Sequence, residues 1–147
     1  MSASPARPFL TVDIVIVASV APVHVLLIQR RHDPFEGAWA LPGGYVEQDE
    51  QIGDAARREL SEETGLQVDA LRRIGIYDTP DRDPRGWTVT IAFLGVLDSK
   101  APVAGGDDAR DAGWFDVTAL PSLAFDHAVI LEDALKLQTD PARAEQI

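Results

Sequence analysis

The chain has 147 residues, 46% of them hydrophobic, with 13 Lys and Arg against 24 Asp and Glu for a net charge of −11. That length holds one domain with a sizeable core rather than two. The composition excludes a disordered acidic tail, and the charge excludes sequence-independent nucleic-acid binding, which needs a basic face. There is no cysteine, hence no disulfide framework, thiolate metal site or cysteine nucleophile. Residues 1–8, with two prolines, predict a flexible arm ahead of one domain over 9–140 and a tail over 141–147. Leu10 to Ser19 is Val- and Ile-rich but interrupted by Asp13. It falls far short of the roughly 20 apolar residues that span a bilayer, so a cytoplasmic protein without membrane contact is expected. That run and His24 to Arg30, separated by Ala21-Pro22, predict two strands joined by a tight turn. Pro34, Gly37, Pro42, Gly43 and Gly44 break Arg31 to Gly44 into a loop with a short strand. Gln51 to Thr64 predicts a helix stopped by Gly65. Leu66 to Tyr77 and Trp87 to Leu97 predict strands around a polar insert, Asp78 to Gly86; Trp87, Val89, Ile91 and Phe93 alternate as in a half-buried strand. Ala101 to Gly113 reads as a Gly/Asp-rich loop leading to a short strand at Trp114-Phe115. Ile130, Leu131, Ala134 and Leu135 form the stripe of a second helix with Asp126 as its cap.

Glu59, Glu62 and Glu63 are spaced i, i+3, i+4, so a helix puts the three carboxylates on one face. Most such clusters are solvated surface. This one sits in the last helical turn, at the negative end of the dipole, where a stabilising sequence would carry Lys or Arg. The missing positive charge can come from a divalent cation. Mg²⁺ suits carboxylate oxygens and waters and is usually completed by substrate phosphates, with Mn²⁺ as a substitute. Upstream, Leu41-Pro42-Gly43-Gly44 lets the backbone approach an ion or phosphate that a Cβ would block.

The full stretch GYVEQDEQIGDAARRELSEETGL, Gly44 to Leu66, resembles the signature of the Nudix hydrolases at its defining positions. The resemblance implies an α/β fold, a three-layer α/β/α sandwich with a mixed sheet, and a metal-dependent enzyme that hydrolyses a nucleoside diphosphate linked to another group. By matching position, Glu59 and Glu63 would be metal ligands, Glu62 a ligand or the group that activates water, and the Gly43 carbonyl a further ligand. Glu50 and Arg58 would pair to hold the loop against the helix.

Substrate choice lies outside that stretch. Arg82 and Arg85, three apart in a proline-stiffened loop, form either a fork-shaped clamp for a diphosphate or a salt-bridged turn with Asp81 and Asp83. Tyr77 to Gly86, Thr11-Val12-Asp13, Arg30-Arg31 and Phe125-Asp126-His127 resemble the ADP-ribose pyrophosphatase branch of the family and its regulator relatives. That resemblance makes Arg30, Arg82, Arg85 and Gly44 substrate-binding residues, Tyr77 the first choice among the aromatics for stacking the base, and His127 a pocket residue. No Glu lies between Glu63 and Glu132. An additional ligand must then be an Asp: Asp108, unless its loop is simply an acidic turn. The regulators carry a DNA-binding module after this domain; the 33 residues beyond Trp114 hold only Lys136 and Arg143 as cations, so no such module is expected. The expected function is hydrolysis of ADP-ribose to AMP and ribose 5-phosphate by a homodimer. The alternatives are a nucleoside triphosphate pyrophosphohydrolase and a noncatalytic ADP-ribose sensor.

Overall fold

A computed structural model describes residues 4–139. The first residues of the expected arm and the expected tail, with Arg143, lie outside the described residues. The chain runs β1 (Phe9–Ala18), β2 (His24–Arg30), β3 (Trp39–Ala40), β4 (Gly43–Tyr45), α1 (Ile52–Thr64), β5 (Arg72–Tyr77), β6 (Thr88–Leu97), β7 (Ala109–Asp116) and α2 (His127–Thr139). One mixed sheet contains all seven strands. Its main path is β3-β2-β1-β6-β5, with β4 paired to β1 and β7 to β2.

β1 lies at the centre. It runs parallel to β6 along its whole length, and Thr11 to Ala18 are all buried. A strand covered on both faces reads as an almost unbroken apolar run. Its parity sorts the core into two layers. Val12, Ile14 and Ile16 pack with Ala55, Ala56 and Leu60 of α1. Val15 and Val17 pack with Ile130, Leu131, Ala134 and Leu137 of α2. The helices therefore cover opposite faces, giving the expected three-layer α/β/α arrangement with a mixed sheet.

The central helix forms where its sequence predicts. Gly65, at φ 75°, adopts the left-handed conformation that ends it, and its N–H donates to the Ser61 carbonyl at 2.9 Å.

Four expectations change. β5 begins only at Arg72, because the preceding backbone turns locally: the Leu66 N–H donates to Thr64 Oγ1 and the Leu71 N–H to the Asp69 carbonyl. β6 starts at Thr88 and does not alternate. Thr90 through Gly95 are buried continuously because both faces are covered by helices, and Trp87 is left 55% exposed. β7 starts at Ala109 rather than Trp114, since its ladder is supplied by β2, from His24↔Asp116 to Arg30↔Ala109. Asp126 does not cap α2 with its side chain. Its carboxylate takes Arg82 instead, at 2.9 and 2.6 Å, and its carbonyl accepts the Val129 and Ile130 amides.

Candidate active site

The site lies where the sheet forks. β1 pairs with β2 only at Val17 and Ala18; earlier in the strand the same edge is taken by Gly43, Gly44 and Tyr45. The opening between β1 and the far end of β2 is a cavity of about 330 Å³, lined among others by Asp13, Arg30, Gly43, Gly44, Glu59 and Glu63.

The two glycines bring the loop against the carboxylates. The Gly43 N–H donates to Glu63 Oε1 at 2.7 Å. A Cβ on Gly44 would lie 2.5 Å from Glu59 Cδ and 2.6 Å from each carboxylate oxygen, and one on Gly43 would meet the Val12 carbonyl oxygen. Only glycine allows this approach. Burial pushes the Glu59 carboxyl up to about 7, even with Arg58 beside it. Glu63, buried more deeply and close to Glu59 and Asp13, lies well above the carboxylate range.

Arg58 supplies part of the positive charge that the last turn lacks. Its Nε and Nη2 grip Glu50 at 2.8 and 3.0 Å, while Nη1 lies 2.9 Å from Glu59 and 3.1 Å from Glu62. Nη2 also donates to the Tyr45 carbonyl at 3.0 Å. The hydrogen bonds to Glu50 hold Arg58 more firmly protonated than usual and Glu50 below its ordinary range. One guanidinium thus joins loop and helix and stands between Glu59 and Glu62, two of the three helix carboxylates. Glu62 sits outside the cavity lining with its side chain 40% exposed.

Among the described residues, no three acidic or imidazole side chains already form a cation cage. The donor set still fits a hard cation. Two desolvated carboxyls held back from ionisation beside a glycine-bare backbone are oxygen donors whose burial an ion would offset. Waters and phosphate oxygens usually complete such sites.

Three further arginines line the same cavity. Arg82 is only 4% exposed and is clamped by Asp126. Arg85 pairs with Asp83 at 2.7 Å, which keeps Asp83 low despite its burial. For Arg85 the salt-bridged turn is therefore present, yet both arginines line the cavity. Arg30 is tied through Nε to the Pro34 carbonyl at 2.7 Å; burial, then the nearby Arg85, lower its pKa. The Arg30 and Arg85 guanidiniums lie 5.0 and 5.3 Å from the centroid of the Phe125 ring, within cation–π range.

Tyr77 is not brought to the cavity. Its ring packs on the α2-side core and its hydroxyl donates to Asp133 at 2.7 Å, which with burial raises its pKa. Asp108 lies at the rim, 86% exposed and 3.8 Å from His32. Residue types alone assigned no role to Tyr45 or Phe125, and gave Asp13 none beyond the break it makes in β1. Asp13 carried a signal: a lone carboxylate in a Val/Ile run is costly unless it has partners. Burial pushes it up, and His127, Thr90 and Arg82 outweigh that and lower it.

Residues 8–134 match the model of the NUDIX domain. An ADP-ribose pyrophosphatase from Methanocaldococcus jannaschii is 46% identical over 113 residues, which are 76% of this chain and 66% of that protein. The ADPR responsive transcriptional repressor NtrR of Acinetobacter baylyi is 36% identical over 132 residues, 86% of this chain and 53% of the repressor. The chain thus spans between half and two thirds of the length of these relatives. Among solved structures, the NUDIX domain of Shewanella oneidensis NrtR complexed with ADP ribose has a TM-score of 0.80 at 32% identity, covering 89% of this chain and 88% of that one.

Proposed function

Because this chain belongs to the NUDIX family, we propose that it is a divalent-cation-dependent hydrolase. It cleaves the diphosphate of a nucleoside diphosphate joined to a second group, with ADP-ribose as substrate and AMP and ribose 5-phosphate as products. The observation that carries the reading is the make-up of the cavity: Glu59 and Glu63 line it together with Arg30, Arg82 and Arg85. In a chain of net charge −11, three guanidiniums lining one cavity supply the planar donors that suit a diphosphate. The pyrophosphatase from M. jannaschii and the ADP-ribose complex of the NrtR domain support the choice of ADP-ribose.

Glu59, Glu62, Glu63 and the Gly43 carbonyl would hold the cation, Mg²⁺ or in its place Mn²⁺, with Asp108 as the outer ligand. When bound, such an ion offsets phosphate charge and lowers the pKa of a coordinated water. The protein's own groups do the rest. Arg58 and Glu50 fix the loop on the helix. Arg30, Arg82 and Arg85 bind and orient the diphosphate, and Glu62, outside the cavity lining, is either a cation ligand or the group that takes the proton of the attacking water. Water oxygen bonds to one phosphorus as the bridging oxygen leaves with the other. The family resemblance further carries a cytoplasmic homodimer, which mass in solution tests.

The test is incubation with Mg²⁺ and a panel of ADP-ribose, other nucleoside diphosphate conjugates and nucleoside triphosphates, with products separated by chromatography. AMP formed fastest from ADP-ribose supports the reading. Pyrophosphate released from a triphosphate keeps the chemistry and refutes the substrate. Tight ADP-ribose binding without turnover establishes a sensor, the reading that the repressor NtrR favours.

A further inference from the structure

His127, the first residue of α2, is buried 86 positions from the loop it touches. Its Nδ1 accepts the Leu41 amide hydrogen at 3.0 Å. A ring nitrogen that accepts carries no proton, so the proton of this imidazole is on Nε2. Nε2 lies 3.3 Å from Asp13 Oδ1, and Asp13 also takes the Thr90 hydroxyl at 2.8 Å. One rigid ring therefore offers an acceptor to the loop and a donor to the central strand.

The three residues after Leu41 give this arrangement its use. The Pro42 carbonyl accepts the Ile14 amide at 2.9 Å, the Gly43 amide reaches Glu63, and Gly44 abuts Glu59. Leu41 itself is buried, so loss of the Nδ1 acceptor strands its amide in the interior, where an unpaired donor is costly. Relief comes only by shifting the loop, and the next backbone amide along it, that of Gly43, is the partner of Glu63.

We propose that His127 is a positioning residue for the cation site. By holding the Leu41 amide it fixes the Pro42–Gly44 backbone against Glu63 and Glu59, and so sets cation affinity without touching the cation. The inference rests on the reading of these carboxylates as cation ligands.

Two substitutions separate the two sides of the ring. His127→Asn keeps an amide oxygen near Nδ1; His127→Gln keeps an amide nitrogen near Nε2 and leaves nothing for Leu41. Mn²⁺ affinity is measured without substrate by electron paramagnetic resonance, with melting curves for each variant. The Gln variant is expected to bind Mn²⁺ roughly 10- to 100-fold more weakly, the usual cost of losing a group that orients metal ligands, and the Asn variant to stay near wild type. In the wild-type protein, ¹⁵N NMR of the imidazole should show an unprotonated Nδ1 and a slowly exchanging Leu41 amide, a result independent of how the variants fold. Wild-type Mn²⁺ affinity in the Gln variant, equal losses in both variants, or a proton on Nδ1 would overturn the role of His127. Failure of the wild-type protein to bind Mn²⁺ overturns the cation reading itself. Mn²⁺ binding without turnover refutes the hydrolase reading alone.

Discussion

Replacing Gly44 by Ala should separate activity from stability. The added methyl would lie 2.5 Å from Glu59 Cδ and 2.6 Å from each carboxylate oxygen, whereas carbon contacts are comfortable at about 3.5–4.0 Å. The carboxylate must therefore withdraw by about 1 Å. It is not free to do so at no cost, because Arg58 Nη1 holds it at 2.9 Å and the same guanidinium is gripped by Glu50. A displacement of that size at a reacting centre costs about 100-fold in rate, equivalent to about 2.7 kcal/mol of transition-state stabilisation. Folding should hardly notice. Gly44 is not in the left-handed region, so Ala fits its backbone, and the lower entropy of the unfolded chain returns about 0.4–1 kcal/mol against the cost of the shift. The assay is AMP release from ADP-ribose under Mg²⁺, read as kcat/KM, beside a thermal melt in chelator. An Ala variant within threefold of wild-type kcat/KM would refute the reasoning, since the Glu59 carboxylate could then leave its position without consequence.

Other outcomes rest on the same geometry. Arg58→Met leaves Glu50 and Glu59 without their shared cation and should cost about 3 kcal/mol, lowering Tm by about 6–12 °C; Arg58→Lys should recover only part, because the two-pronged grip on Glu50 needs a guanidinium, and a Lys variant melting with wild type would contradict this. The Glu59 carboxyl ionises at about 7 in the fold against 4.5 ordinarily, so the folded protein holds that proton more tightly than the unfolded chain. The metal-free protein should then lose stability as pH rises from 4.5 to 7, with Glu59 contributing at most on the order of 3 kcal/mol before solvent screening and Glu63, also held up, acting in the same direction, and Mn²⁺ added at pH 8 should restore it; a flat Tm across that window in chelator would show both carboxyls to be ordinary. Below that window the trend reverses, since Asp13 and Asp83 are held low and must be protonated. Tyr77→Phe removes the bond to Asp133 and should cost about 1 kcal/mol with KM for ADP-ribose unchanged; a large rise in KM would return Tyr77 to the base.

Elements whose signals are local could be read from the sequence. α1 has a continuous helical composition and its own stop at Gly65. β1 and β2 are apolar runs separated by a proline turn, and each forms within a residue or so of the expected limits. β7 could not be read this way. Its first residues close the Gly- and Asp-rich stretch Ala101 to Gly113, and only pairing with β2, some 80 positions away, makes Ala109 to Gly113 strand. Hydrogen bonds from a distant partner leave no trace in local composition. The same holds for Asp126: its position at the start of α2 suits a cap, but a buried guanidinium from another loop competes for the carboxylate and wins with two short bonds.

The site divides along the same line. The glutamates and the glycine pair are legible because their spacing along one helix and one loop is the geometry itself. Which cation faces them is not. The last turn of α1 has no Lys or Arg, which points to an ion from outside, and yet Arg58, one turn earlier, reaches Glu59 and Glu62 along the helix surface. The two observations are compatible, because one guanidinium already committed to Glu50 leaves Glu63 in no ion pair among the described residues, and Glu63 is the more deeply buried carboxyl. Asp13 completes the logic. Odd parity on β1 turns it to the α2 face, where His127 and Arg82 meet it. The one charge in the apolar strand thus meets His127 of the helix that covers the sheet, and the same imidazole holds the loop that approaches the carboxylates.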